Sequence, residues 1–156
     1  MRVTFIDTSV LCELLDVPGK SAKGDAHRAE LDTRIASGER FVIPITAVVE
    51  TGNHIAQAKT GDRRSTARRL IELLLEAVRG DGRFELHELA WDEAFVVALA
   101  GGDSTGQTFI DLAGNGLMGG GDVAILVERD RYVATSGFQR DDVGIWTLEA
   151  VLGAYA

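Results

Sequence analysis

The chain is short of several things, and each shortage removes a class of protein. It has one cysteine, Cys12, in 156 residues. A lone cysteine cannot close an internal disulfide, which fits a reducing compartment and leads us to expect a cytoplasmic protein. With three scattered histidines, His27, His54 and His87, it cannot make a zinc site of the usual spacing. No apolar run approaches the ~20 residues that span a membrane, so no membrane partner is expected. No basic flank precedes an apolar stretch at the start, so no signal peptide is read there. Basic residues are outnumbered: 16 Lys and Arg face 24 Asp and Glu, a formal charge of −8. That argues against binding nucleic acid over the whole surface. A local patch remains, because Lys59, Arg63, Arg64, Arg68 and Arg69 crowd one stretch with only Asp62 against them. A solvated helix face is the plain reading, and a phosphate contact strip the sharper one.

What is present reads as one domain, residues 1–156, long enough for a real core. Neither an internal repeat nor a long linker divides it. Val3, Phe5 and Ile6 predict a short buried strand. Val10, Leu11, Leu14 and Leu15 predict a helix capped by Thr8 or Ser9. Helices are expected over 26–38, over 46–58, and over "STARRLIELLLEAVRG", where Ala67, Leu70, Ile71, Leu74, Leu75 and Val78 follow helical spacing. "FVIP" (41–44) and "RFELHEL" read as strands. Trp91, Ala94, Phe95, Ala98 and Leu99 mark a further helix that ends at Gly101 and Gly102. A helix is expected from Asp122 ("DVAILVERD"), then strands at "YVAT" and "VGIWTL", then a terminal helical turn. Alternating strands and helices predict α/β architecture with a parallel sheet covered on both faces.

Three acids occupy positions where such a fold concentrates chemistry. Asp7 ends the first strand, and ligands bind at the carboxyl edge of open α/β sheets. Glu50 belongs to a polar stripe, with Asn53, His54 and Gln57, on the helix 46–58. The opposite face carries Ile45, Val48, Val49, Gly52, Ile55 and Ala56. Asp122 follows Gly119, Gly120 and Gly121 at a helix start. It is either a simple N-cap or part of a pocket that needs close backbone approach. If the three converge, they repel: two carboxylates about 4 Å apart cost roughly 1–4 kcal/mol. A divalent cation removes that cost, and an oxygen-only ligand set favours Mg²⁺ or Mn²⁺. Such an ion activates water and stabilises the leaving oxygen of a phosphodiester.

"FIDTSVL", "VIPITAVVETGNHI" and "GGGDVAIL", in that order, resemble the PIN-domain family. The likeness in element order runs over nearly the whole chain and ends with "VGIWTLEA". It implies a three-layer α/β/α sandwich with a central parallel sheet of four or five strands. It also implies a Mg²⁺- or Mn²⁺-dependent ribonuclease whose family acids map onto Asp7, Glu50 and Asp122. Asp7 and Asp122 would bind the ion most directly, and Glu50 through water. Thr8, Asn53, His54 and Ser136 are expected near the RNA substrate. Many members are toxins of VapBC-type pairs, so the resemblance also implies a possible antitoxin partner and a homodimer. The family often carries a fourth acid after its fourth strand. Here that stretch reads "YVATSGF", with Thr135 and Ser136 and no acid. Asp130, Asp141 and Asp142 are the candidates to replace it.

Competing patterns fail on context. "GDSTG" (102–106) fits GxSxG, but a helix precedes it and no histidine follows Ser104. "GNGLMG" (114–119) fits GxGxxG, with too little chain left for a dinucleotide-binding half. "PGKS" (18–21) ends like a phosphate loop, but Leu14 stands where the first glycine belongs. An aspartyl phosphatase of the haloacid-dehalogenase type needs a second aspartate two residues after Asp7, where Ser9 stands. A non-catalytic RNA-binding module with the same fold is the remaining alternative.

Overall fold

The computed structural model of the chain describes residues 1–80 and 82–156. Its first strand, β1 (Val3–Ile6), is buried at every position, as is β4 (Val143–Trp146). Strands like these need cover on both faces. β1 pairs with β4 on one side and with β2 (Arg40–Ile43) on the other, and β3 (Phe84–Leu86) flanks β2. The order is β3-β2-β1-β4 and every pairing is parallel. Val3 stands opposite Arg40 and Val143, and Phe5 opposite Val42 and Ile145.

The period of two along each strand sorts the core into two clusters. Ile6, Phe41, Ile43 and Trp146 face one way. Against them pack α1 (Thr8–Leu14), α2 (Gly24–Ala36), α3 (Ile45–Gln57) and α4 (Arg63–Arg79), through residues such as Leu11, Ile35, Ile55 and Leu70. Val3, Phe5, Val42, Val143 and Ile145 face the other way. There they meet α5 (Glu93–Ala100), α6 (Phe109–Gly114), α7 (Gly120–Ser136) and α8 (Ala150–Gly153), through Leu99, Leu112, Leu126 and Leu152. The chain is therefore α/β, with a four-strand all-parallel sheet flanked by helices. Among the described residues, no helix is long and apolar enough to cross a membrane.

Some expectations need correction. "YVAT" is not a strand: Tyr132–Thr135 continue α7, which runs on to Gly137 in the left-handed conformation. No turn residue separates Asp130 from Tyr132, and Tyr132 and Val133 pack on the sheet as helix residues. Burial outweighs the β preference of Tyr, Val and Thr. The strand within "RFELHEL" covers only Phe84–Leu86. In α4 the packed stripe is Leu70, Leu73, Leu74 and Ala77, while Ile71, Leu75 and Val78 are exposed. Arg69 Nε donates to the Leu15 carbonyl at 2.9 Å, which fixes the rotation of that helix. Ile45 and Val49, assigned to the apolar face of α3, are likewise about half exposed. The "GNGLMG" segment runs from the last residue of α6 to the cap of α7, with no strand before it.

This connectivity positions the site. The chain lays β2 and then β3 to one side of β1 and returns to add β4 on the other. The order thus reverses at the β1–β4 boundary. In open parallel sheets the crevice at the carboxyl ends beside such a reversal is where ligands bind.

Candidate functional site

Asp7 leaves β1 at that crevice. Its backbone N–H donates to the Trp146 carbonyl at 3.0 Å, the last link of the β1–β4 ladder. Its backbone is extended, and its carboxylate caps α1 by accepting from the Ser9 N–H at 3.4 Å. The cap is therefore Asp7 itself, not Thr8 or Ser9. This frees both hydroxyls. Ser9 Oγ donates to Asp7 Oδ2 at 2.7 Å, and Thr147 Oγ1 donates to the same oxygen at 2.8 Å. The Leu148 N–H donates to Ser9 Oγ at 3.0 Å and closes the network across the two strands. Asp7 is only 6% exposed.

Glu50 projects from α3, and Thr8 Oγ1 donates to its Oε2 at 2.8 Å. Its other oxygen lies over Gly121, where any Cβ would collide with it. One of the three glycines expected to allow a close approach does so, and the group admitted is the Glu50 carboxylate. Asp122 is not the N-cap but the third residue of α7. Its Oδ2 accepts from the Gly119 N–H at 2.9 Å, the carboxylate half of a capping box. Burial pushes the Asp122 carboxyl up, and Asp7, Glu50 and Glu149 push the same way against the Gly119 hydrogen bond.

Asp7, Glu50 and Asp122, from three elements distant in sequence, line one cleft of about 500 Å³. Each has one oxygen held by protein donors and a second with no protein hydrogen bond among the described residues. Among those residues none of the three makes an ion pair. Thr8 and His54 also line the cleft. Burial and Lys20 push the His54 imidazole down, against a smaller opposing pull from Glu50. That favours the neutral ring near neutral pH. Asn53 is exposed and is not part of the lining. Ser136 is at the far end of α7 from Asp122, 14 residues and about 21 Å along the helix, so it does not belong to the site. Asp130 pairs with Arg129 and Arg140. Asp141 and Asp142 form the turn before β4, at the opposite edge of the sheet. None of these three replaces the family's fourth acid.

Sequence reasoning missed several cleft residues. Glu149 stands just after β4 and lines the cleft. Thr147 and Ser9 hold Asp7. Glu13 lines the wall but is engaged, accepting from the Lys23 N–H at 2.9 Å beside His27 at 3.8 Å. Lys20 is the one lysine or arginine of the lining. The signal for Thr147 and Glu149 was the end of "VGIWTLE", readable only once β4 is known to adjoin β1.

Among the described residues, no group of three or more His, Cys, Asp or Glu side chains is set to hold a metal ion by itself. The acids therefore line a common cleft rather than form a closed cage. The donor set still fits a hydrated Mg²⁺ or Mn²⁺. Mg²⁺ keeps several waters and is ordinarily held by one or two carboxylates, and this cleft offers carboxylate oxygens without a protein donor. Comparison of the chain with protein-family models, with curated proteins and with solved structures finds no match in any of the three.

Proposed function

We propose that the chain is a Mg²⁺- or Mn²⁺-dependent ribonuclease of the PIN type. One observation carries the reading: Asp7, Glu50 and Asp122 line a single cleft at the carboxyl edge of a parallel sheet, where its strand order reverses. The sequence resemblance assigns the same three residues. When bound, the ion lowers the pKa of a water and neutralises charge on the cleaved phosphodiester.

The chain's own residues do the positioning. Ser9 and Thr147 fix one Asp7 oxygen, so the other points in a set direction. The Gly119 N–H does the same for Asp122, and Thr8 for Glu50. Asp7 and Asp122 would hold the ion, and Glu50 would orient a water beside them. The neutral His54 ring lies within the cleft as a hydrogen-bonding group for substrate. A cytoplasmic setting, an antitoxin and a homodimer belong to the resemblance and form part of this proposal.

The test is cleavage of single-stranded RNA with and without Mg²⁺ or Mn²⁺. Asp7→Asn and Asp122→Asn are expected to abolish cleavage while melting as cooperatively as the parent. Tight RNA binding by the parent with no metal-dependent cleavage would instead support the non-catalytic module.

A further inference from the structure

A cleft walled by carboxylates repels the polyanion that the proposed function requires it to admit. Lys20 is exposed at the rim of that cleft and, among the described residues, forms no ion pair. Its loop is held in place: the Lys20 N–H donates to the Val17 carbonyl at 2.9 Å. Against this loop packs the α3–α4 turn, because a Cβ on Gly61 would lie 2.6 Å from Pro18 Cγ. That turn starts the basic stretch. Lys59 is two residues before Gly61, at most about 7 Å along the chain, and Arg64 is three residues after it. Arg64 and Arg68 are one helical turn apart on α4. Lys59, Arg64 and Arg68 are all exposed and, among the described residues, unpaired. The other basic groups there are engaged: Arg69 binds the Leu15 carbonyl, and Arg63 donates to the Ala56 carbonyl at 3.3 Å.

We infer that this pair of touching loops is the entry track for a single-stranded RNA. Lys20 takes the phosphate next to the acids, and Lys59, Arg64 and Arg68 take phosphates outside the cleft. The inference rests on the ribonuclease reading and adds the direction of entry and the groups that read the backbone. It reconciles a chain of formal charge −8 with a nucleic-acid substrate, because the attractive charge is confined to one approach. Contacts of this kind carry no sequence preference.

The test measures binding of a short fluorescent single-stranded RNA to the full chain, with Ca²⁺ in place of Mg²⁺, over a range of salt. Each single-strand phosphate contact contributes about 0.7 to the slope of log affinity against log salt. Lys20→Ala is expected to lower that slope by about 0.7, and the triple change Lys59→Ala, Arg64→Ala, Arg68→Ala by about 2. Both should weaken binding to all RNA sequences alike, and Lys20→Arg should restore it. Arg79→Ala, at the far end of α4, should leave the slope at the parent value. Parental slopes in the Lys20 and triple variants, with RNA cleavage by the parent intact, would overturn the track alone. An equal drop for Arg79→Ala would also overturn it, by showing diffuse binding. No binding and no cleavage by the parent would remove the ribonuclease reading and the track together.

Discussion

Thr147 Oγ1 donates to Asp7 Oδ2 at 2.8 Å, joining two residues 140 positions apart. The contact exists because β4 is laid beside β1, so the residues that follow each strand emerge side by side. Ser9 adds a second hydroxyl to the same oxygen, and the carboxylate is left with one direction in which to act.

Thr147→Val keeps the shape and removes the donor. A hydrogen bond to a charged group contributes about 1.5–3 kcal/mol. If that energy serves to aim Asp7, metal-dependent RNA cleavage should slow by about tenfold or more. Thr147→Ser should retain most of the activity. Cleavage rates and melting curves on the three proteins check this. Equal rates for the Val and Ser forms would show that Thr147 does not aim the carboxylate.

Gly121 and Gly120 are adjacent in α7, and alanine at the two should affect cleavage differently. In a helix, Gly→Ala ordinarily gains about 1 kcal/mol. Gly120 has nothing within 4 Å of an added Cβ, whereas at Gly121 the Cβ meets the Glu50 carboxylate. The atoms met are the end of a flexible, half-buried side chain, so the fold yields by moving the Glu50 carboxylate rather than by straining the backbone. Gly120→Ala should melt at or above the parent temperature and stay active. Gly121→Ala should melt near the parent temperature yet lose most cleavage, because Glu50 must move.

How much of this was legible before the structure depends on whether a feature is local. β1 and α1 were, because buried strand and helix stripe are contiguous at Val3–Leu15, although the cap is Asp7 and not Thr8 or Ser9. The two sides of the sheet followed from strand–helix alternation. Tyr132–Thr135 was misread because β-forming residues cannot report that they extend a helix already packed on the sheet. Ser136 failed with it. The acids were visible one by one: Asp7 and Asp122 at the starts of helices, Glu50 in the polar stripe of α3. Glu149 and Thr147 were not, since their relevance comes from the neighbour of β4, a long-range fact. Lys20 was noticed only within a failed phosphate-loop pattern. The contact of Gly61 with Pro18 is what gives it context.

Glu128 gives a prediction independent of function. It is fully buried on α7, and burial pushes its carboxyl up to about 7 from an ordinary 4.5. His87 Nδ1 lies 3.3 Å from Oε1, and burial pushes that imidazole down. Both shifts favour the neutral forms, and Oε2 has no partner among the described residues. The folded-state value lies above the unfolded one. Stability from this group is therefore complete below about pH 4.5 and is lost as pH rises through about 7. Ionising the group in the core costs about 3 kcal/mol. Glu128→Gln should flatten the fall in melting temperature between pH 5 and pH 8, both being test conditions spanning that window. It should also melt above the parent at the higher pH. Parallel pH profiles for the two proteins would show that Glu128 is already ionised in the fold.

The metal itself can be tested without RNA. Asp7, Glu50 and Asp122 line one cleft, with Glu13 and Glu149 beside them. A cation that binds only the folded arrangement stabilises it by about 2.7 kcal/mol at 100 times its dissociation constant. For a chain of this size that is a rise in melting temperature of roughly 5–10 °C. Mg²⁺ or Mn²⁺ should produce such a rise in the parent and little in Asp7→Asn or Asp122→Asn, even though Asp122→Asn removes a charge that burial, Asp7, Glu50 and Glu149 disfavour and should raise the metal-free melting temperature. The two effects have opposite signs, so they separate a metal site from a merely acidic cleft. A parent whose melting temperature ignores both ions would show the acids acting, if at all, without a metal.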